Sequence, residues 1–208
     1  MKKHLFTAVI FMTAIALLPA WSTARGDKQK VVDDLKAAFT GETTASAKYA
    51  AYAAKAKTDG LQKIALLFEA ASKAENIHAG NHKAALEQLG ESAPEVKPKY
   101  EVKTTRENLK DAIAGESYES ATMYPDFIKD ANAAQITIAL ISFNYAYKTE
   151  LKHKALYEAA LAALESNKVE TMASKYQVCT TCGNTYENNG PARCGICMTS
   201  RDRFITVE

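Results

Sequence analysis

Two stretches rich in helix-forming residues carry the same four-residue unit. Glu75-Asn-Ile-His78 and Glu150-Leu-Lys-His153 each set a carboxylate and an imidazole three residues apart, about 60° around a helix, so each pair shares one face. Glu42 precedes the first unit, and Glu116 and Glu119 precede the second. From Glu42 to Glu75 is 33 residues and from Glu116 to Glu150 is 34, so the two halves repeat the same chemistry at the same separation. One Glu from each of two helices and Glu-x-x-His from each of two others is the way four-helix bundles hold two iron or two manganese ions. Several ionised carboxylates converging inside a bundle are prohibitively costly unless cations neutralise them. Mixed Glu/His ligation suits Fe or Mn better than Ca or Mg, which prefer all-oxygen shells. A lone Glu-x-x-His would be an ordinary solvated face. The repeat, and the small residues beside Glu42 (Thr40-Gly41) and Glu116 (Ala112, Ala114, Gly115), favour ligands reaching inward. Tyr49, seven residues after Glu42, and Tyr124, five after Glu119, are either core tyrosines or supports for the ligands. His82, one turn beyond His78, is expected at the rim or behind the ligands, since the two Glu-x-x-His units already complete the set.

A second constellation closes the chain. Cys179-Thr-Thr-Cys182 and Cys194-Gly-Ile-Cys197 are two CxxC pairs with 11 residues between them. Matched knuckles of this kind make a tetrahedral S₄ site for either Fe or Zn. Two disulfides are the alternative in an exported protein. Residues 176–208 are too few for an independent core without metal or cross-links. Tyr176, Tyr186 and Phe204 are expected to form what core the module has.

The elements that must position these groups are legible from the pattern. Residues 28–165 are rich in Ala, Leu, Lys and Glu with few internal breakers. Four helices are predicted: about 28–57, ending at Thr58-Asp59-Gly60; 61–89, ending at Gly90; 104–130, where Thr105-Arg-Glu-Asn resembles a capped start; and 133–165. Short first and third connections make two antiparallel hairpins. The longer second connection, 91–103 with Pro94 and Pro98, can cross the length of a bundle. The expected fold is mainly α: a ferritin-like four-helix bundle over 25–165, a linker over 166–175, and a small β-rich metal module over 176–208.

The N-terminus reads as an address. Lys2 and Lys3 precede an uncharged apolar run, Leu5–Leu18, and Ser22 and Ala24 sit at the −3 and −1 positions of a cut. An uncleaved anchor is the alternative reading. Cleavage after Ala24 would release a periplasmic protein starting at Arg25. Of the 26 basic side chains only Lys2 and Lys3 lie in the leader, and the remainder balance the 24 acidic groups. A neutral body without a basic stripe excludes nucleic acid as a main partner.

Taken together, these motifs resemble the rubrerythrin family over essentially the whole mature chain. Glu42 with Tyr49, Glu75-x-x-His78, Gly115-Glu116-x-x-Glu119 with Met123-Tyr124-Pro125, and Glu150-x-x-His153 each match a family motif, and the Cys module is similar to rubredoxin. The resemblance implies a di-iron centre cycling between Fe²⁺ and Fe³⁺, and a mononuclear Fe held by four Cys. It implies reduction of hydrogen peroxide to water, with the S₄ iron re-reducing the di-iron site across subunits of a head-to-tail homodimer. It gives Glu119 and His78 a special task, exchange as ligands of one iron, and puts Tyr49 and Tyr124 beside the catalytic site. Two features depart from the family. The second knuckle reads Cys194-Gly-Ile-Cys197-Met198 instead of Cys-Pro-x-Cys-Gly, which puts Met198 at a position needing positive φ. The leader would remove cytoplasmic reductases from reach, leaving a periplasmic redox protein as the electron donor. A ferroxidase or iron-handling bundle, and a non-enzymatic module with structural Zn, are the competing readings.

Overall fold

A computed structural model describes residues 21–208, with side chains from Lys28 onward. Met1–Ala20 lie outside the described residues, and the export reading with them. Helix α1 (Trp21–Thr58) and α2 (Gln62–Gln88) form the first antiparallel hairpin. The second hairpin pairs a composite helix with α5 (Thr137–Glu165). The composite runs through α3 (Thr105–Tyr118), a π-helical turn (Glu119–Met123) and α4 (Tyr124–Ala133). Three short strands, β1 (Tyr176–Cys179), β2 (Thr185–Glu187) and β3 (Phe204–Val207), close the chain as an antiparallel sheet in the order β2-β1-β3. Among the described residues no helix is long and apolar enough to cross a membrane.

Local chemistry sets the helix ends. At Gly60 (φ +74°) the amides of Gly60 and Leu61 return to the carbonyls of Lys57 and Ala56 at 3.0 and 2.8 Å, a left-handed cap that only glycine adopts without strain. Gly90 repeats it at the end of α2. Gln135 and Asn167 take the same left-handed conformation without being glycine, ending α4 and α5. The start of α3 is a capping box on Thr104. Its hydroxyl accepts the Glu107 amide, and the Glu107 carboxylate accepts the Thr104 amide.

The third predicted helix is therefore interrupted. Pro125 has no amide to offer the carbonyl four residues back. The amide of Tyr124 goes instead to the Glu119 carbonyl, five residues back. The wider turn carries Glu119 itself. Bulges of this kind recur at functional sites.

The apolar core falls into two clusters. One contains Tyr49, Leu67, Phe68, Leu109 and Tyr157; the other contains Leu35, Leu86, Tyr124, Ala139 and Phe143. In every helix the candidate metal ligands lie between residues of the two clusters. Glu42 falls between Ala38 and Ala45, Glu75 and His78 between Ala74 and Ala85, Glu116 between Ala112 and Tyr124, and Glu150 and His153 between Ala146 and Tyr157.

Residues 166–175 hold to the bundle. Val169 and Met172 pack against the first cluster, and the Lys63 ammonium donates to the carbonyls of Glu170 and Met172. The sheet follows them onto α2. Tyr176, Val178 and Val207 are buried in the bundle's own cluster, so Tyr176 is no part of a separate module core. Tyr186 and Phe204 do stack on each other, 5.6 Å apart and nearly parallel, beside the four cysteines.

Candidate metal centres

The bundle layer brings six of the seven predicted carboxylate and imidazole ligands into two overlapping groups. Glu42, Glu75, His78 and Glu150 present ligand atoms within 4.8 Å of one another, and so do Glu75, Glu116, Glu150 and His153. Glu75 and Glu150 belong to both. That is the arrangement of two ions bridged by two carboxylates, each with its own histidine and its own terminal Glu. All six residues are at most 1% exposed. Glu119 stands outside both groups on the π-helical turn and keeps part of its surface open.

Both imidazoles have their protonation fixed from behind. His78 Nε2 lies 3.1 Å from the Cys182 carbonyl, which can only accept, so Nε2 carries the hydrogen. His153 Nε2 donates to Thr185 Oγ1 at 2.9 Å, because that hydroxyl gives its own hydrogen to the Gly183 carbonyl. Each ring therefore turns a bare Nδ1 inward. His78 Nδ1 lies 2.9 Å from Glu75 and 2.8 Å from Glu150, and His153 Nδ1 lies 3.0 and 2.9 Å from the same pair. These approaches are short, yet none has hydrogen-bond geometry. Both Nδ1 atoms, both oxygens of Glu75 and Glu150, and one oxygen each of Glu42 and Glu116 make no hydrogen bond. So many buried lone pairs converging without hydrogen between them fit cations and little else.

Electrostatics agree. Burial pushes Glu116 and Glu119 well above the usual carboxylate range, and neighbouring carboxylates push further: Glu150 and Glu75 on Glu116, Glu116 and Glu42 on Glu119. Divalent ions would remove the need to share protons across this layer.

The two tyrosines serve the terminal carboxylates. The Tyr49 hydroxyl donates to Glu116 at 2.7 Å, and the Tyr124 hydroxyl donates to Glu42. Each leaves the second oxygen of its Glu free for a metal. His82 lies outside both ligand groups and is fully buried. Its one-turn spacing from His78 was the only sequence signal for it.

In the C-terminal module Cys179, Cys182, Cys194 and Cys197 form one cluster. The Sγ atoms of Cys179 and Cys197 are 3.5 Å apart, and those of Cys182 and Cys194 are 3.4 Å apart. A disulfide would need about 2.05 Å. The edge of a tetrahedron with metal–sulfur bonds of about 2.3 Å is ~3.8 Å. The thiols therefore fit one metal ion and not two disulfides. The knuckles match: the Gly183 amide bonds the Cys179 carbonyl and the Met198 amide bonds the Cys194 carbonyl, each at 2.9 Å. Met198 takes φ +65° where Gly183 has +76°, as its place in the knuckle demands.

The module sits on the histidine side of the bundle layer. Besides the His78 and His153 contacts, Asn81 donates to the Thr181 carbonyl at 2.9 Å and Thr149 to the Cys182 carbonyl at 3.3 Å. Gly183 makes this approach possible. A Cβ there would lie 2.3 Å from His78 Nε2.

A family model described as rubrerythrin matches residues 33–161. Nigerythrin from Nitratidesulfovibrio vulgaris is 34% identical over 181 residues, covering 83% of this chain and 84% of that protein. Rubrerythrin-2 from Clostridium acetobutylicum is 31% identical over 173 residues, covering 83% and 94%. A solved structure of nigerythrin in a mixed-valence state superposes with a TM-score of 0.77 at 33% identity, covering 85% of this chain and 86% of that one.

Proposed function

The chain belongs to the rubrerythrin family, and from that premise we propose that it is a peroxidase that reduces hydrogen peroxide to water at a di-iron centre in its bundle, fed with electrons by iron in its four-cysteine site. The observation that carries this reading is Cys182. Its sulfur belongs to the S₄ cluster, and its carbonyl accepts the Nε2 hydrogen of His78, a candidate ligand of the bundle centre. One residue thus joins the two centres. The reduced nigerythrin relative is described as all ferrous, which supports iron here.

The reaction consumes hydrogen peroxide, two electrons and two protons and yields two waters. Iron, when bound, would supply the electron pair at the bundle and a one-electron store at the cysteines. The residues do the rest. Glu75 and Glu150 reach both metal positions, and Glu42 and Glu116 cap the ends, each steadied by a tyrosine hydroxyl. The two apolar clusters keep bulk water from the layer. Glu119 is the one candidate ligand of the bundle with open surface, so peroxide is expected to arrive beside it. The His78–Cys182 contact lies within one chain. The proposed electron path follows this contact, and the resemblance implies that such transfer runs between subunits of a homodimer. Export remains part of the proposal, with a periplasmic redox protein as donor.

Anaerobic stopped-flow of the reduced protein tests the reading. Hydrogen peroxide should oxidise the bundle faster than dioxygen does, and the S₄ iron, visible by its red colour, should follow. Faster oxidation by dioxygen would favour a ferroxidase. A colourless, zinc-filled module would remove the relay.

A further inference from the structure

The two halves of the bundle layer match in ligands and differ in what stands behind them. On one side Tyr49 donates to Glu116, and its ring is backed by Phe68 and Tyr157, with centroids 6.0 and 5.5 Å away. Among the described residues nothing donates to its oxygen. On the other side Tyr124 donates to Glu42, and a fully buried histidine stands behind it. His82 Nε2 lies 3.1 Å from the Tyr124 hydroxyl, and His82 Nδ1 lies 2.7 Å from the Ser142 hydroxyl.

The direction of each bond follows from the last one. The Glu42 carboxylate is the acceptor, so the Tyr124 hydrogen is committed to it. The Tyr124 oxygen must then accept from His82, so Nε2 carries the ring hydrogen. Nδ1 is left as an acceptor, and Ser142 donates to it. No polar atom of Ser142, His82 or Tyr124 is unsatisfied. The result is a one-way chain of hydrogen bonds from Ser142 on α5, through His82 on α2 and Tyr124 on α4, to Glu42 on α1. It touches four helices of the bundle. Phe143 and Tyr124 pack on the His82 ring at 5.6 and 6.0 Å and hold its plane.

His82 is no ligand, since it belongs to neither group and its nearest carboxylate contact is 3.9 Å, to Glu42. We propose that His82 and Ser142 are positioning residues that lock the Tyr124 hydroxyl onto Glu42, and so hold one of the two metal positions more tightly than the other. The proposal rests on the di-metal reading of the bundle. Its physical basis is that hydrogen bonds in series polarise and strengthen one another, and that the partners of a metal ligand fix its orientation. The Glu116 end has the first link of such a chain only.

Cobalt(II) titration of the protein, followed by its visible spectrum, tests this, because thiolate-bound cobalt absorbs apart from cobalt bound by carboxylate and imidazole. In His82→Leu, one of the two bundle ions should bind roughly tenfold more weakly while the other is unchanged. His82→Gln should recover most of the loss, since its amide can still donate to Tyr124. Tyr124→Phe should lose as much as His82→Leu, and adding His82→Leu to it should cost nothing more. Ser142→Ala, which removes one buried hydroxyl, gives a milder loss at the same ion and serves if His82→Leu does not fold. Equal weakening of both ions, or a His82→Leu loss that persists undiminished beside Tyr124→Phe, would overturn the role of His82. A wild-type bundle that takes up no cobalt beyond the thiolate site would overturn the di-metal reading itself.

Discussion

Replacing Gly183 with Ala tests the seat of the Cys module on the bundle. The new Cβ would stand 2.3 Å from His78 Nε2, 2.8 Å from Cδ2 of the same ring and 3.1 Å from the Ala74 carbonyl. Ordinary contact begins near 3.4 Å, so something must retreat by about 1 Å. His78 and Ala74 belong to a buried helix, so the module moves. Retreat breaks the His78–Cys182 hydrogen bond and leaves a buried N–H unpaired, at a cost of roughly 1–3 kcal/mol. Ala at φ +76° adds roughly 1–2 kcal/mol of backbone strain. The sum is on the order of 3 kcal/mol. Gly90→Ala is the control. It has φ +81° and nothing within 4 Å of a Cβ, so it carries the strain alone. Amide hydrogen exchange of the metal-loaded protein is the assay. Protection around Val178 and Cys182–Thr185 should fall by about 100-fold in Gly183→Ala, given tenfold per ~1.4 kcal/mol, and stay unchanged in Gly90→Ala. If Gly183→Ala destabilises no more than Gly90→Ala and the module's amides keep their protection, the module is not seated on His78.

The remaining predictions address the path and the ligands. A disulfide engineered between Asn81→Cys and Thr181→Cys should run as a monomer on a non-reducing gel at every protein concentration, and a dimer band would make the docking intermolecular. Glu119→Ala should leave both bundle ions bound and slow oxidation by peroxide at least tenfold; an unchanged rate in stopped-flow would dismiss Glu119 from the reaction. Tyr186 donates to Cys194 Sγ at 3.5 Å, so Tyr186→Phe should lower the S₄ iron potential by roughly tens of millivolts in a redox titration, since hydrogen bonds to sulfur favour the reduced state. N-terminal sequencing of protein from the periplasm should begin at Arg25, and an intact Met1 there would end the export reading.

Much of this molecule was legible in its sequence because its chemistry is periodic. Glu-x-x-His at repeated separation and two CxxC knuckles fix which faces must meet, and Gly60 and Gly90 mark helix ends by the one property only glycine has. The break at Gln135 carried no such mark. A glutamine in the left-handed region is stabilised by the two amide bonds it allows, at Asn132 and Ala131, and these depend on the packed helices. The π-helical turn was hidden for a related reason. Pro125 announces a missing amide, but it does not say whether the helix kinks, stops or widens. Tyr176 looked like a member of a small aromatic core because it is near Tyr186 in sequence. It is buried with the bundle's cluster because β1 packs against α2, a long-range fact that local pattern does not contain. The polar chain behind Glu42 was out of reach for the same reason, since Ser142 and His82 are 60 residues apart.

The division of the core into two apolar clusters has a consequence for how the protein acquires its ions. Each cluster is a stack of aromatic and aliphatic side chains, and between them along the helices lie the ligand carboxylates and imidazoles, many of whose inward atoms make no hydrogen bond. Unpaired buried polar atoms cost stability, so before loading this layer is expected to open more readily than the clusters on either side of it. Once filled, the same layer becomes the bundle's rivet. Each ion present at a thousand times its dissociation constant adds about 4 kcal/mol to the folded state. Loading would thus convert a bundle that opens across its middle into one that does not, closing the entrance behind the ions that used it.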